Sequence, residues 1–264
     1  MISLRKTLLF LSALFVALPL MHAIGPAVTE TDWRGWKRLD FVVLGRPALL
    51  IVPKNPAPGK PWIWRTEFFG DFPQADLALL ERGWHVGYMN AKDLYGSPQA
   101  MSLFDAYYQR VRKDYGLSAR VVLEGFSRGG LYAFNYAATH PDRVAALYLD
   151  APALDIHSWP GVKHPLWPEC LASYGLTAEQ AKTAKVSPLD RIEPVLKAKI
   201  PIFGVSGDAD EAVQLKENLA VLEQRYKAGG GVIEVVIKPG GKHHPHSLTD
   251  PTPIVDFLVS HAKF

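Results

Sequence analysis

From residue 62 onward, short apolar runs alternate with longer segments of helical period. The apolar runs are Trp62-Ile63-Trp64, residues 84–89, 120–125, 144–149, 200–205 and 232–237. Between them, residues 76–82, 99–115, 127–140 and 213–226 carry apolar side chains at helical spacing, and 253–262 closes the chain in the same way. Runs that stay apolar without alternating are buried on both faces, which a strand achieves only when helices cover both sides of its sheet. The pattern predicts an α/β architecture, a mostly parallel sheet with helices on both faces. Two earlier runs, 41–44 and 48–52, flank Gly45-Arg46-Pro47 and predict an antiparallel hairpin at the sheet edge. Residues 151–199 are too long for a plain connection, so a small cap insertion over the C-terminal edge of the sheet is expected there.

Residues 1–23 stand apart. Arg5-Lys6 precedes an apolar stretch from Leu8 to Leu20 and then Met21-His22-Ala23, the layout of a secretory signal peptide cleaved after Ala23. This predicts a periplasmic or secreted protein with no stable membrane insertion after cleavage, and one domain over residues 24–264. The rest of the chain holds 27 basic and 26 acidic residues with no basic stripe, so nucleic acid is not an expected partner. Cys170 is the sole cysteine; it excludes an intramolecular disulfide, and its Pro-Glu-Cys-Leu setting reads as a buried small side chain.

The run 120–125 ends in Gly125-Phe126-Ser127-Arg128-Gly129, at a strand-to-helix junction. A serine on such a sharp turn needs small residues two before and two after it, and Gly125 and Gly129 stand there. The helix starting behind it offers backbone N–H groups and a positive dipole end to developing negative charge. A capping serine in a tight turn is the competing reading of the pentapeptide alone. Further along, Gly207-Asp208-Ala209-Asp210 follows the next-to-last run, and Gly240-Gly241-Lys242-His243-His244-Pro245-His246 follows the last. Serine, acid and histidine thus occur in chain order at C-terminal strand ends, where α/β active sites assemble.

With these residues the chain resembles the α/β-hydrolase superfamily, essentially from the end of the leader to the C-terminus. The resemblance implies the α/β-hydrolase fold and a Ser127 nucleophile. The superfamily's Gly-x-x-Asp-x-x-Val pattern matches Gly207, Asp210 and Val213, which assigns the acid to Asp210, with Asp208 and Asp150 as rivals. Relatives usually show Gly-His in the histidine loop, whereas Lys242 precedes His243 here; His243 is preferred to His244 because it lies closer to the glycine pair. The oxyanion hole is expected from the N–H groups of Arg128 and, in the loop after the third run, Thr66. Glu67 and Arg128 are expected beside the pocket, either as an ion pair or with Arg128 meeting a substrate carboxylate. Glucuronoyl esterases also carry an arginine after their nucleophile, a likeness confined to that position.

Of the tryptophans, Trp159 and Trp167 fall in the cap segment, where they are candidates for stacking on a substrate or for the cap's own core. His243, His244 and His246 are set aside as metal ligands, because Pro245 breaks any helical spacing and no ligand-spaced cysteine or glutamate accompanies them. No cofactor is expected. The leading function is a serine hydrolase of a carboxylic ester, small-molecule or carbohydrate-linked, acting through an acyl-enzyme. A serine peptidase on this fold is the alternative, though the lack of a propeller segment argues against the prolyl-oligopeptidase type. A non-catalytic binding protein is the third reading; such proteins usually lose a triad member, and all three types are present here.

Overall fold

Two tight turns shape the edge of the sheet. Arg34 and Gly35 (φ 54° and 83°) join β1 (Thr29–Trp33) to β2 (Trp36–Val43), and Leu44 and Gly45 (φ 48° and 77°) join β2 to β3 (Arg46–Val52). Two central residues at positive φ match the right-handed twist of a hairpin, so the second turn is Leu44-Gly45 and β3 begins two residues earlier than expected. The computed structural model describes residues 27–264, and the leader expected at 1–23 lies outside the described residues. Strand β1 escaped the hydrophobic pattern because it is an almost wholly exposed edge, paired through Asp32 opposite Lys37 and Thr31 opposite Arg38.

The chain then alternates as β4 (Trp62–Arg65), α1 (Gln74–Glu81), β5 (His85–Met89), α2 (Pro98–Tyr115), β6 (Val121–Phe126), α3 (Gly129–Thr139) and β7 (Val144–Asp150). After three short helices, α4 (Trp167–Tyr174), α5 (Ala178–Ala181) and α6 (Ile192–Lys197), it resumes with β8 (Ile202–Gly207), α7 (Leu219–Ala228), β9 (Ile233–Lys238) and α8 (Thr252–His261). The sheet order is β1-β2-β3-β5-β4-β6-β7-β8-β9, antiparallel as far as the β3–β5 pair and parallel from β5 to β9.

Side-chain alternation splits the core into two layers. On β6, Val121 and Leu123 pack with Phe104 of α2, Phe134 of α3 and Leu222 of α7, while Val122 faces the other way. It joins Leu79 of α1 and Ile254 and Leu258 of α8. On β7, Leu147 and Leu149 fall in the first layer and Ala146 and Tyr148 in the second. The α4–α6 segment brings Trp167, Cys170, Leu171 and Val195 into the first layer. It therefore lies against the helices of that face.

Candidate active site

Strand β6 ends by delivering Ser127 into a left-handed turn, φ 49°, a conformation that costs a non-glycine residue of order 1–3 kcal/mol. Its surroundings hold it there. The Ser127 N–H donates to the carbonyl of Asp150 (2.9 Å), and the Ser127 carbonyl accepts from Gly130 (3.0 Å) and Ala153 (2.8 Å). A Cβ on Gly125 would stand 2.9 Å from the Gly129 carbonyl oxygen, and one on Gly129 would stand 3.1 Å from the Thr66 hydroxyl. Both glycines are required by the closeness of strand, turn and helix.

Asp210, the acid expected from the sequence, stands in the turn after β8. One oxygen of Asp210 accepts the N–H groups of Ala212 and Val213 (both 2.9 Å), so the amides expected to open a helix at 213 hold the carboxylate instead, and α7 begins at Leu219. The other oxygen lies 2.7 Å from Nδ1 of His243, whose Nε2 lies 2.9 Å from the Ser127 hydroxyl. The histidine and acid loops cross at Gly207, where a Cβ would be 2.0 Å from the Gly241 carbonyl oxygen. A carboxylate on Nδ1 favours the tautomer with its proton there, leaving the Nε2 lone pair for the serine proton.

The rivals are elsewhere. Asp208 accepts the Gly240 N–H (2.7 Å) and braces the turn. His244 is exposed, stacked at 6.1 Å on Phe72. Asp150 is fully buried and belongs to a second pair that sequence reasoning missed. One of its oxygens lies 2.7 Å from Nδ1 of His246, and the other accepts the Ser247 N–H at 2.8 Å with the Tyr148 hydroxyl 3.2 Å away. His246 is buried between Phe126 and Phe72 (5.2 and 5.6 Å) and lines the same cavity as Ser127. The available signal was an acid directly after an apolar strand with an unassigned histidine in the last loop.

Thr66 is corrected as an oxyanion donor, because its N–H is already donated to the Glu124 carbonyl (3.0 Å). Its hydroxyl stands 2.9 Å from the carbonyl oxygens of both Glu124 and Gly129, tying β4 to the elbow. The next amide, Glu67, has no intramolecular partner among the described residues and lies beside the first turn of α3, 3.7 Å from where a Gly129 Cβ would be. With the Arg128 N–H it offers two donors near Ser127. The Glu67 carboxylate meets Arg128 at 3.2 and 3.3 Å, so the ion-pair expectation describes the arrangement. Burial pushes the Glu67 carboxyl up from its ordinary value, and Arg128 opposes the shift.

Beneath this loop lies a buried charge cluster that sequence reasoning did not single out. Arg65 contacts Asp76 (3.0 Å) and Glu124 (2.9 Å), and its remaining nitrogen donates to the carbonyls of Phe68 and Asp71 (both 2.7 Å). Burial pushes the Asp76 carboxyl well above its usual value; Arg65 opposes this and Glu124 adds to it. The cluster thereby fixes residues 66–72, which carry Phe68, Asp71 and Phe72 to the cavity wall. That cavity measures about 150 Å³ and is completed by Ser127, His243, His244 and His246. Trp159 and Trp167 do not line it. Both pack against the α2–α3 side of the core, Trp167 beside His157 and Trp159 beside Tyr95, which corrects their expected substrate contact.

Residues 88–263 match the family model described as "Prolyl oligopeptidase family". The chain belongs to the prolyl oligopeptidase family. It is a serine hydrolase of the α/β-hydrolase fold, and membership rests on this hydrolase domain, which corrects the expectation that set the family aside for want of a propeller. No curated protein matches the chain. Among solved structures it is similar to an acylaminoacyl peptidase from Pyrococcus horikoshii, with TM-score 0.64, 16% identity, and 90% of this chain and 41% of that one covered. It also resembles an S-formylglutathione hydrolase from Agrobacterium tumefaciens (TM-score 0.65, 16% identity, 89% and 98% covered). A cold-adapted esterase from an Arctic intertidal metagenomic library aligns with TM-score 0.59 and 12% identity, covering 91% and 100%. The chain spans well under half the length of the peptidases of this group, and likeness at these identities carries the fold alone.

Proposed function

We propose that this protein is an exported esterase that cleaves a carboxylic ester with a small acyl group through an acyl-enzyme on Ser127. The observation that carries the reading is the unbroken Asp210–His243–Ser127 hydrogen-bond chain opening on a cavity of about 150 Å³. Ser127 would attack the ester carbonyl as His243 takes its proton, with Asp210 stabilising the imidazolium. The oxyanion would sit against the amides of Arg128 and Glu67, and His243 would return the proton to the leaving alcohol. Water, activated by His243 in turn, would release the acid.

Two features support ester over peptide. The cavity is smaller than the roughly 300–1,000 Å³ of common ligand pockets, and the chain covers nearly all of the hydrolase and esterase it resembles. Export rests on Arg5-Lys6 and the apolar run behind them, and points to a periplasmic or secreted location. A carbohydrate-linked ester keeps only that support, since Trp159 and Trp167 pack with the core. Peptide cleavage is the second reading, favoured by the family match.

The test is a rate comparison among p-nitrophenyl acetate, butyrate and octanoate, acetylated xylan, and aminoacyl p-nitroanilides. Acetate and butyrate should be cleaved fastest; faster turnover of the anilides would replace the esterase reading with a peptidase. A fluorophosphonate that left Ser127 of the folded protein unlabelled would overturn both.

A further inference from the structure

The histidine loop brings three imidazoles to one point. The ring centres of His243, His244 and His246 lie 4.8–4.9 Å apart pairwise, and each offers a nitrogen within 4.8 Å of those of the other two. Helical spacing is irrelevant to this convergence, because the loop itself folds back between the acid turn and β7. Two of the three rings have Nδ1 tied to a carboxylate, His243 to Asp210 and His246 to Asp150, both at 2.7 Å. In that tautomer each presents an Nε2 lone pair, which is how metal-binding histidines are commonly oriented, with the second nitrogen donating to a carboxylate. The ring of His244 is exposed and so has rotamer freedom.

We propose that His243, His244 and His246 form a binding site for a borderline-soft divalent cation, Zn²⁺ foremost, and that occupancy shuts off hydrolysis reversibly. Around tetrahedral zinc, with Zn–N near 2.0–2.1 Å, ligand nitrogens stand about 3.3 Å apart, so the cluster must contract by about an ångström or more. Swinging the exposed His244 inward shortens its own separations from the other two, and the His243–His246 separation closes by rotation of those rings about their carboxylate contacts. The fourth position faces the cavity at Ser127. A cation on Nε2 of His243 displaces the Ser127 hydroxyl from the lone pair that would take its proton. Imidazole ligands and a compact site favour Zn²⁺ over Mg²⁺ or Ca²⁺, which prefer oxygen. Binding depends only on the three rings and their carboxylates; inhibition rests additionally on the catalytic reading of His243.

The experiment titrates ZnCl₂ into chelator-treated full-length protein by calorimetry and repeats it with Co²⁺, reading the ligand-field absorption of a tetrahedral site. The same measurements are made on His244→Ala and His246→Gln. One ion per chain is expected, with binding weakened at least about tenfold in each variant. Fluorophosphonate labelling of Ser127 should be blocked by Zn²⁺ and restored by chelator. Absence of stoichiometric binding would overturn the site, as would binding that both variants leave unchanged or that leaves Ser127 labelling undiminished. Metal-free protein that never labels would instead count against the hydrolase reading, and calorimetry would still decide the site.

Discussion

Asp210 and Asp150, both buried near Ser127, each have their own histidine, and the distances assign them different work. Asp210 reaches the imidazole that touches the serine hydroxyl; Asp150 reaches one that does not. Asp210→Asn should lower kcat about 10⁴-fold, since an amide stabilises the wrong tautomer. Asp150→Asn should leave at least about a hundred times more activity than that while lowering stability, because it loosens the anchor of residues 246–247. Steady-state kinetics on p-nitrophenyl acetate with a urea melt for each variant checks both, and the reverse ranking would move the acid to Asp150. Ser127→Ala should lose activity by about 10⁶-fold. The serine was legible from sequence because its strained turn demands flanking glycines. The histidine was less so, since two adjacent residues of one type carry no spacing signal.

At the scale of elements, the crossing loops and the buried cluster do the positioning. Replacing Arg65 by methionine leaves Asp76 and Glu124 buried without their cation and frees the carbonyls of Phe68 and Asp71. Removing one partner of a buried ion pair costs about 3–5 kcal/mol, so Arg65→Met should lower the urea midpoint accordingly. It should also weaken kcat/KM, through the loop that carries Glu67. Gly207→Ala forces a methyl into the Gly241 carbonyl and should separate Asp210 from His243, lowering kcat more than it raises KM. The helices and parallel strands were readable because their burial imposes a period. The start of α7 and the existence of β1 were not: the first was set by Asp210 capturing two amides, the second by pairing of a polar edge.

At the scale of the whole molecule, burial sets the behaviour of groups distant from the cavity. Burial lowers His85 to about 4, so the folded state keeps it neutral where the unfolded chain takes up a proton. Stability should therefore fall as pH drops from about 6.5 to about 4, by up to about 3 kcal/mol from this residue. Urea melts across that range should show a shallower loss for His85→Phe. Burial pushes the Cys170 thiol up to about 12, so a thiol reagent should modify it only after denaturant is added.

Sequence by itself determined the α/β class, the elbow serine and the order of serine, acid and histidine, because periodicity and glycine punctuation are local consequences of burial and strain. Tertiary structure alone decided which acid meets which histidine, tied the Thr66 amide to Glu124 while leaving that of Glu67 open beside the elbow, and withdrew Trp159 and Trp167 from the cavity. It also gathered three histidines that no helical spacing relates. Those outcomes depend on how loops from different strands cross at one edge of the sheet, and crossings of that kind leave no period in the chain.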